Sequence, residues 1–363
     1  MAASPDPQSL RTLFAIQHPI LQAPMAGASP VELVCAVSEA GGLGGLGAAA
    51  LPPDTLRAQL RAIRQRSGRP FNVNLFAPAS QRIDTAARPG PQAMALIRHY
   101  SEALDLEPPA TLESPFADPE AQLQVLLDER VPVISFHFGV EAAHVQAIHD
   151  AGLLVICSAT TVEEAVALDR LGVDAVIAQG SEAGGHRGTF DGDYREALIG
   201  TLALVPQVVD AVSVPVIAAG GIMDARGIVA CRALGAAGVQ LGTAFLGCPE
   251  AGIAPVWLEQ LKAASPSDTT VTAVMSGKPA RGLRNRYINE MEAIDEPLLP
   301  YPLQYALSGP IRREAVRRNL PDFPAMWSGQ GVAMLEETSA AALMEKLVRE
   351  SQALLADLAA APA

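Results

Sequence analysis

The chain has 363 residues, of which 49% are hydrophobic and 18% charged. That composition fits one large folded domain or two ordinary ones and excludes a disordered chain. Lysine and arginine total 26 against 39 aspartate and glutamate, a net charge of −13, which argues against an electrostatic grip on nucleic acid or on an anionic membrane surface.

The opening stretch MAASPDPQSL carries neither a basic start nor an apolar run, so no signal peptide is expected. Ile20 to Pro24 reads as a first short strand. Ser29-Pro30-Val31-Glu32 then has the pattern of a capping box with proline at the first helical position. That helix carries Leu33, Val34 and Val37 on one face and stops at Gly41-Gly42. Gly42 to Ala48 (GLGGLGA) is a strand mainly by its place in the series, and Phe71 to Phe76 (FNVNLF) is the third. Residues 77–130, rich in Pro and Ala, read as an insertion that is helical in part. Val131 to Phe136 and Leu153 to Cys157 are the next strands, with a helix between them ending at Gly152. Thr161-Val162-Glu163-Glu164 is a second capping box, and its helix ends at Gly172. Asp174 to Gln179 and Val214 to Ala219 follow. Asp224 caps a helix ending at Gly235, and Gly238 to Gly242 is the eighth strand. The helix-ending glycines supply the left-handed conformation that stops a helix. Residues 248–333 show no strand series and read as a second insertion, while Ser339 to Leu358 is an amphipathic helix returning to the rest.

Eight short strands, most of them apolar on both faces, with helices between them point to an α/β protein of the (β/α)8 barrel class. The expected division is a barrel over 1–247, a smaller unit over 248–333 and a returning helix over 334–363. No run of about 20 apolar residues long enough to cross a membrane is present. Cys35, Cys157, Cys231 and Cys248 are widely spaced, as expected of reduced thiols in a cytoplasmic protein.

In such a barrel the chemistry lies at the carboxyl ends of the strands. Gly220-Gly221-Ile222-Met223-Asp224 after the seventh strand and Gly242-Thr243 after the eighth form the place where these barrels commonly bind a phosphate. Asn74 and Gln179 end apolar strands. Each amide can donate and accept at once, which suits either the mixed edge of a flavin ring or nearby buried backbone groups. Pro24-Met25 offers a soft apolar surface beneath such a ring. Gln179 to Gly188 (QGSEAGGHRG) is a glycine loop presenting one imidazole, His186, which suits proton transfer near neutral pH. Glu182 and Arg187 either orient that loop or are solvated. His137, between Phe136 and Phe138, either faces the mouth or packs as a satisfied rim histidine. His18, His99, His144 and His149 form no ligand set with carboxylates or cysteines, so no metal is expected. The GGLGGLG run follows a helix instead of opening one, which excludes a dinucleotide fingerprint.

Taken together, Gln22 to Gly27 (QAPMAG), Ser135 to Gly139 (SFHFG), Ala178 to Phe190 (AQGSEAGGHRGTF) and Val214 to Phe245 resemble the nitronate monooxygenase family, formerly called 2-nitropropane dioxygenase. The resemblance runs from about residue 14 to the Ser328-Gly329-Gln330-Gly331 stretch. It implies a mostly helical smaller domain over the barrel mouth and noncovalent FMN. By position, FMN would be held by Met25, Asn74, Gln179, Gly184, Gly220, Gly221, Gln240, Gly242, Thr243 and Gln330. It further implies His186 as the catalytic histidine and His137 as a histidine lining the substrate pocket. The implied reaction is oxidation of an alkyl nitronate, such as propionate 3-nitronate, by O2 to a carbonyl compound and nitrite. The sequence has Asn72 where the family commonly has glycine. Rival readings on the same barrel are a flavin-type enoyl-[acyl-carrier-protein] reductase and an NADH:quinone reductase. A further rival is a barrel that binds a phosphorylated ligand without catalysis.

Overall fold

The computed structural model describes residues 8–81, 84, 86–109 and 111–360; Met1 to Pro7, within the stretch read for a signal peptide, lie outside the described residues. The barrel strands are β1 (Ile20–Gln22), β2 (Gly44–Gly47), β3 (Phe71–Phe76), β4 (Val133–His137), β5 (Leu154–Ala159) and β6 (Ala175–Gln179). A two-residue strand β7 (Gly185–His186) follows, then β8 (Val216–Ala219) and β9 (Gly238–Leu241). The sheet runs β1-β9-β8-β6-β5-β4-β3-β2, all parallel where paired. A parallel bridge between Leu21 and Leu43 brings its two ends together, so the chain folds as the (β/α)8 barrel its strand series predicts.

Successive strand residues point to opposite sides, and the core divides accordingly. Ile156, Ile177 and Ile217 join Leu10 and Phe14, from the helix Gln8–Phe14, in one cluster. Their neighbours Val155, Cys157, Val176, Ala178, Val216 and Ala218 pack instead with the surrounding helices, against residues such as Leu168 and Leu204. The predicted helix signals act largely as read. Thr161 accepts from the Glu164 amide at 3.1 Å, and Asp224 accepts from the Arg226 amide at 2.9 Å. Gly41, Gly152, Gly172 and Gly235 all hold positive φ. Ser29 differs. The helix Val31–Glu39 has no side-chain cap, because the Ser29 hydroxyl bonds both the amide and the carbonyl of Met25 and accepts from the Gly47 amide. It ties the end of β1 to the end of β2.

The two insertions share one core. Ile97 and Tyr100, from the helix Pro91–Ala103, pack with Tyr287, Met291, Leu303, Leu307 and Ile311. The second insertion also contains a hairpin that its sequence does not announce, β10 (Thr269–Thr272) and β11 (Ala280–Leu283). β11 pairs antiparallel with β7, placing Ala280 opposite His186 and Arg281 opposite Gly185. The helix Ala340–Ala360 buries Leu343, Met344 and Leu347 in the main core. Among the described residues no helix is long and apolar enough to cross a membrane, and all four cysteines are buried and free.

Candidate active site

A cleft opens at the carboxyl ends of the barrel strands, enclosing about 1470 Å³ with the solvent at its mouth included. Met25, Asn74, His137, Gln179, Gly184, His186, Gly220, Gly221, Gln240, Gly242 and Thr243 all line it. Gln330 does not: it is exposed, and its neighbours Gly329 and Gly331 form the wall instead. Asn72 shares a strand face with Asn74 but lies off the wall, its Oδ1 buried and unpartnered.

The phosphate-type corner is built from main chain. The amides of Gly221, Ile222, Gly242 and Thr243 have no hydrogen-bond partner among the described residues. Gly220 and Gly221 hold φ of +120° and +70°, which turns successive N–H groups outward. The Thr243 hydroxyl accepts from the Gly329 amide at 2.9 Å and keeps its own proton to donate. The helix Ala225–Ala233 adds less than its position suggests, because Asp224 already occupies the amides of Arg226 and Gly227.

These residues fit the FMN that the resemblance implies. Gln240 lines the cleft with a buried, unpartnered Oε1, an orphan that a ligand N–H would satisfy. Asn74 commits its Nδ2 to Ser135 and leaves Oδ1 as an acceptor. Two glycines allow the walls to approach: a Cβ at Gly47 would lie 2.6 Å from the Ala26 nitrogen, and one at Gly184 2.6 Å from the Gly329 nitrogen. Gln179 on the wall also braces the histidine loop, its Nε2 donating to the His186 carbonyl at 3.0 Å and its Oε1 accepting from the Gly188 amide at 2.8 Å. Gly221→Val places a β-branched residue in the left-handed region, at a cost of about 1–3 kcal/mol, and sets its Cβ 3.2 Å from the Glu182 Cβ, so the turn that presents the free amides must shift. We expect at least a tenfold loss of FMN affinity, read by flavin fluorescence after dialysis; unchanged affinity would remove this corner as the anion site.

His186 stands between barrel and insertion. Its ring lies 5.4 Å from Trp327, 5.8 Å from both Phe138 and Tyr301, and 6.1 Å from Phe76, centroid to centroid. Its Nε2 is 2.9 Å from the Ser276 hydroxyl, while Nδ1 has no partner among the described residues. Burial first, then repulsion from His137 when it is protonated and from the charges of Lys278 and Arg312, push its pKa down to about 3, so the ring is neutral near pH 7. His137 lines the cleft but spends both ring nitrogens internally. Nε2 donates to the His186 carbonyl at 3.0 Å, and Nδ1 accepts from Ser158 at 2.9 Å. Burial lowers its pKa to about 4. Arg187 is 1% exposed and orients the loop, donating to the carbonyls of Gly180, Gln179 and Ala197. Glu182 does the same by accepting from the amide and hydroxyl of Thr201.

Phe76, Phe116, Trp257, Tyr305 and Trp327 complete the wall. Lys278 holds its ammonium 4.4 Å above the Phe138 ring, and Arg312 its guanidinium 3.6 Å above Tyr305. Among the described residues no group of three or more His, Cys, Asp or Glu side chains could hold a metal.

The model of the nitronate monooxygenase family matches residues 8–350. A nitronate monooxygenase of Pseudomonas aeruginosa is 42% identical over 343 residues, covering 93% of this chain and 97% of that one. A probable nitronate monooxygenase of Staphylococcus saprophyticus is 39% identical over 94% of this chain and 97% of its own. Among solved structures, nitroalkane oxidase from Streptomyces ansochromogenes superposes with a TM-score of 0.84 at 39% identity, covering 96% of this chain and 99% of that one. FabK from Thermotoga maritima does so at 0.75 and 32%, covering 96% and 97%. With its whole barrel, its glycine corner and its histidine loop inside that match, the chain belongs to the nitronate monooxygenase family.

Proposed function

We propose that this protein is an FMN-dependent oxidoreductase that oxidises alkyl nitronates with O2, giving a carbonyl compound and nitrite, and that it also takes the neutral nitroalkane. The observation that carries this reading is His186: a neutral imidazole with an unpartnered Nδ1, walled by aromatic rings, in the same cleft as the unpaired amides of the glycine corner. When bound, FMN supplies the one-electron chemistry that closed-shell side chains lack.

The chain's own residues do the rest. The amides of Gly221, Ile222, Gly242 and Thr243 and the Thr243 hydroxyl hold the phosphate. Gln240 and the Oδ1 of Asn74 would supply hydrogen-bonding partners to the polar groups of the ring. Phe76, Trp327 and Phe138 exclude water from His186. The neutral imidazole is the form that accepts a proton from the carbon next to a nitro group. Transfer creates a cation and an anion side by side, and their attraction offsets part of the burial penalty that holds the imidazole's pKa down. Lys278 and Arg312 add a positive field, which suits an anionic substrate such as propionate 3-nitronate despite the chain's net charge of −13. The likeness to the nitroalkane oxidase, closer than that to FabK in both identity and TM-score, supports this order of readings.

The test is an anaerobic titration with propionate 3-nitronate followed by air and a nitrite assay. We expect loss of the flavin absorbance under nitronate, its return in air, and nitrite in proportion to substrate. If NADH removes the absorbance and nitronate leaves it unchanged, the reductase reading replaces this one. A colourless protein that takes up no FMN would leave only the non-catalytic barrel.

A further inference from the structure

Ser276 lies in the turn between β10 and β11, wholly buried and off the wall of the cleft. Its Oγ is 2.9 Å from His186 Nε2, 2.9 Å from the Lys278 carbonyl oxygen and 3.3 Å from the Lys278 amide. A hydroxyl has one proton and two lone pairs, so only one of the first two neighbours can receive that proton. The Lys278 carbonyl has no other donor among the described residues. With the proton placed there, the two lone pairs accept the Lys278 N–H and an Nε2–H of His186, so the hydroxyl, both Lys278 backbone groups and Nε2 are all paired. The reverse assignment sends the proton to Nε2, leaves the carbonyl without a donor among the described residues, and moves the ring proton to Nδ1, where no acceptor stands among them.

We infer that Ser276 is a positioning residue that fixes His186 as the Nε2–H tautomer and so makes Nδ1 the atom that receives the substrate's proton. Which ring nitrogen is free follows from the hydrogen bond the other makes. The assignment rests on the reading of His186 as proton acceptor. In the step it defines, the Nδ1 lone pair forms an N–H bond as the substrate C–H bond breaks. The C–H electron pair moves onto the nitro group, leaving a nitronate anion beside an imidazolium, with no other reactant consumed. His137 supports the same arrangement from the barrel side by bonding the His186 carbonyl and leaving the ring free.

The test begins with the wild-type holoenzyme labelled with 15N-histidine, the His186 signals being assigned by their loss in His186→Asn. We expect a protonated Nε2 and an unprotonated Nδ1 at neutral pH. A protonated Nδ1 would overturn the inference without any variant having to fold. In Ser276→Ala the two tautomers should mix, and turnover of nitroethane should fall at least tenfold while turnover of preformed ethyl nitronate changes less than threefold. An unchanged tautomer in Ser276→Ala, or equal losses on both substrates, would reduce Ser276 to a packing residue. Ser276→Thr, which restores the hydroxyl, should recover the wild-type tautomer; a folded Ser276→Thr with mixed tautomers also counts against the inference. Should the wild type show the expected tautomer yet release no nitrite from nitronate, the proposed reaction fails and the tautomer assignment stands.

Discussion

His186→Asn should bind FMN as the wild type does and lose about 10²–10⁴-fold in turnover of a nitroalkane, the usual contribution of a positioned general base. Asparagine keeps a polar side chain in a site whose ring bonds Ser276, so the fold and the glycine corner should survive. Turnover of a preformed nitronate should fall less, because that substrate arrives already deprotonated. The pH dependence follows from the direction of the shift. Burial and nearby positive charge hold the His186 pKa near about 3, below its ordinary value of roughly 6.5. The ring therefore stays neutral as pH falls from 8 to roughly 4, and any loss of activity in that window must come from another group. Rates measured on nitroethane and on ethyl nitronate, from pH 5 to 8, check both statements. Full nitroalkane activity in His186→Asn, or an acid limb near pH 6.5 that disappears with it, would take His186 out of the proposed role.

Arg187→Met should destabilise the protein by about 3 kcal/mol or more, since hydrogen bonds to a buried charged group are worth more than neutral ones and their loss leaves acceptors unpaired. The guanidinium is buried against the carbonyls of Gly180, Gln179 and Ala197, and methionine fills much of the same space without a donor. Burial, with Arg281 adding repulsion, lowers the arginine's pKa to about 10, still well above neutral, so the charge is present in the folded state. Urea unfolding at pH 7 reads the change. A loss under 1 kcal/mol would mean that water enters and replaces the guanidinium.

The readability of these features divides by how local their causes are. The barrel strands, the stop glycines and the caps at Thr161 and Asp224 depend on residues within a few positions of one another, and all are visible in the sequence. Ser29 carries the same capping pattern, yet its hydroxyl is taken by Met25 and Gly47, and Gly47 comes close only after the barrel closes. The glycine corner and the His186 loop were placed by strand order. Arg187 stays open in the sequence between orienting its loop and facing solvent, because only the folded chain shows three carbonyls converging on it. Ser276, Lys278, Trp257 and Trp327 were missed for one reason: 248–333 has no period long enough to show where it folds back. Gln330 shows the converse, a residue singled out with its neighbourhood that lies exposed off the wall while its glycine flanks do the lining.

The pairing of β7 with β11 has a consequence for inheritance. His186 hydrogen-bonds to a serine 90 positions further along the chain and sits in a ladder whose other edge is inserted hairpin. The segment over the mouth is thus a structural part of the reacting face and not a detachable cover. A chimera that borrows this segment from a distant cousin should assemble a sound barrel around a misaligned imidazole, so barrel and hairpin are expected to diverge together and to resist exchange.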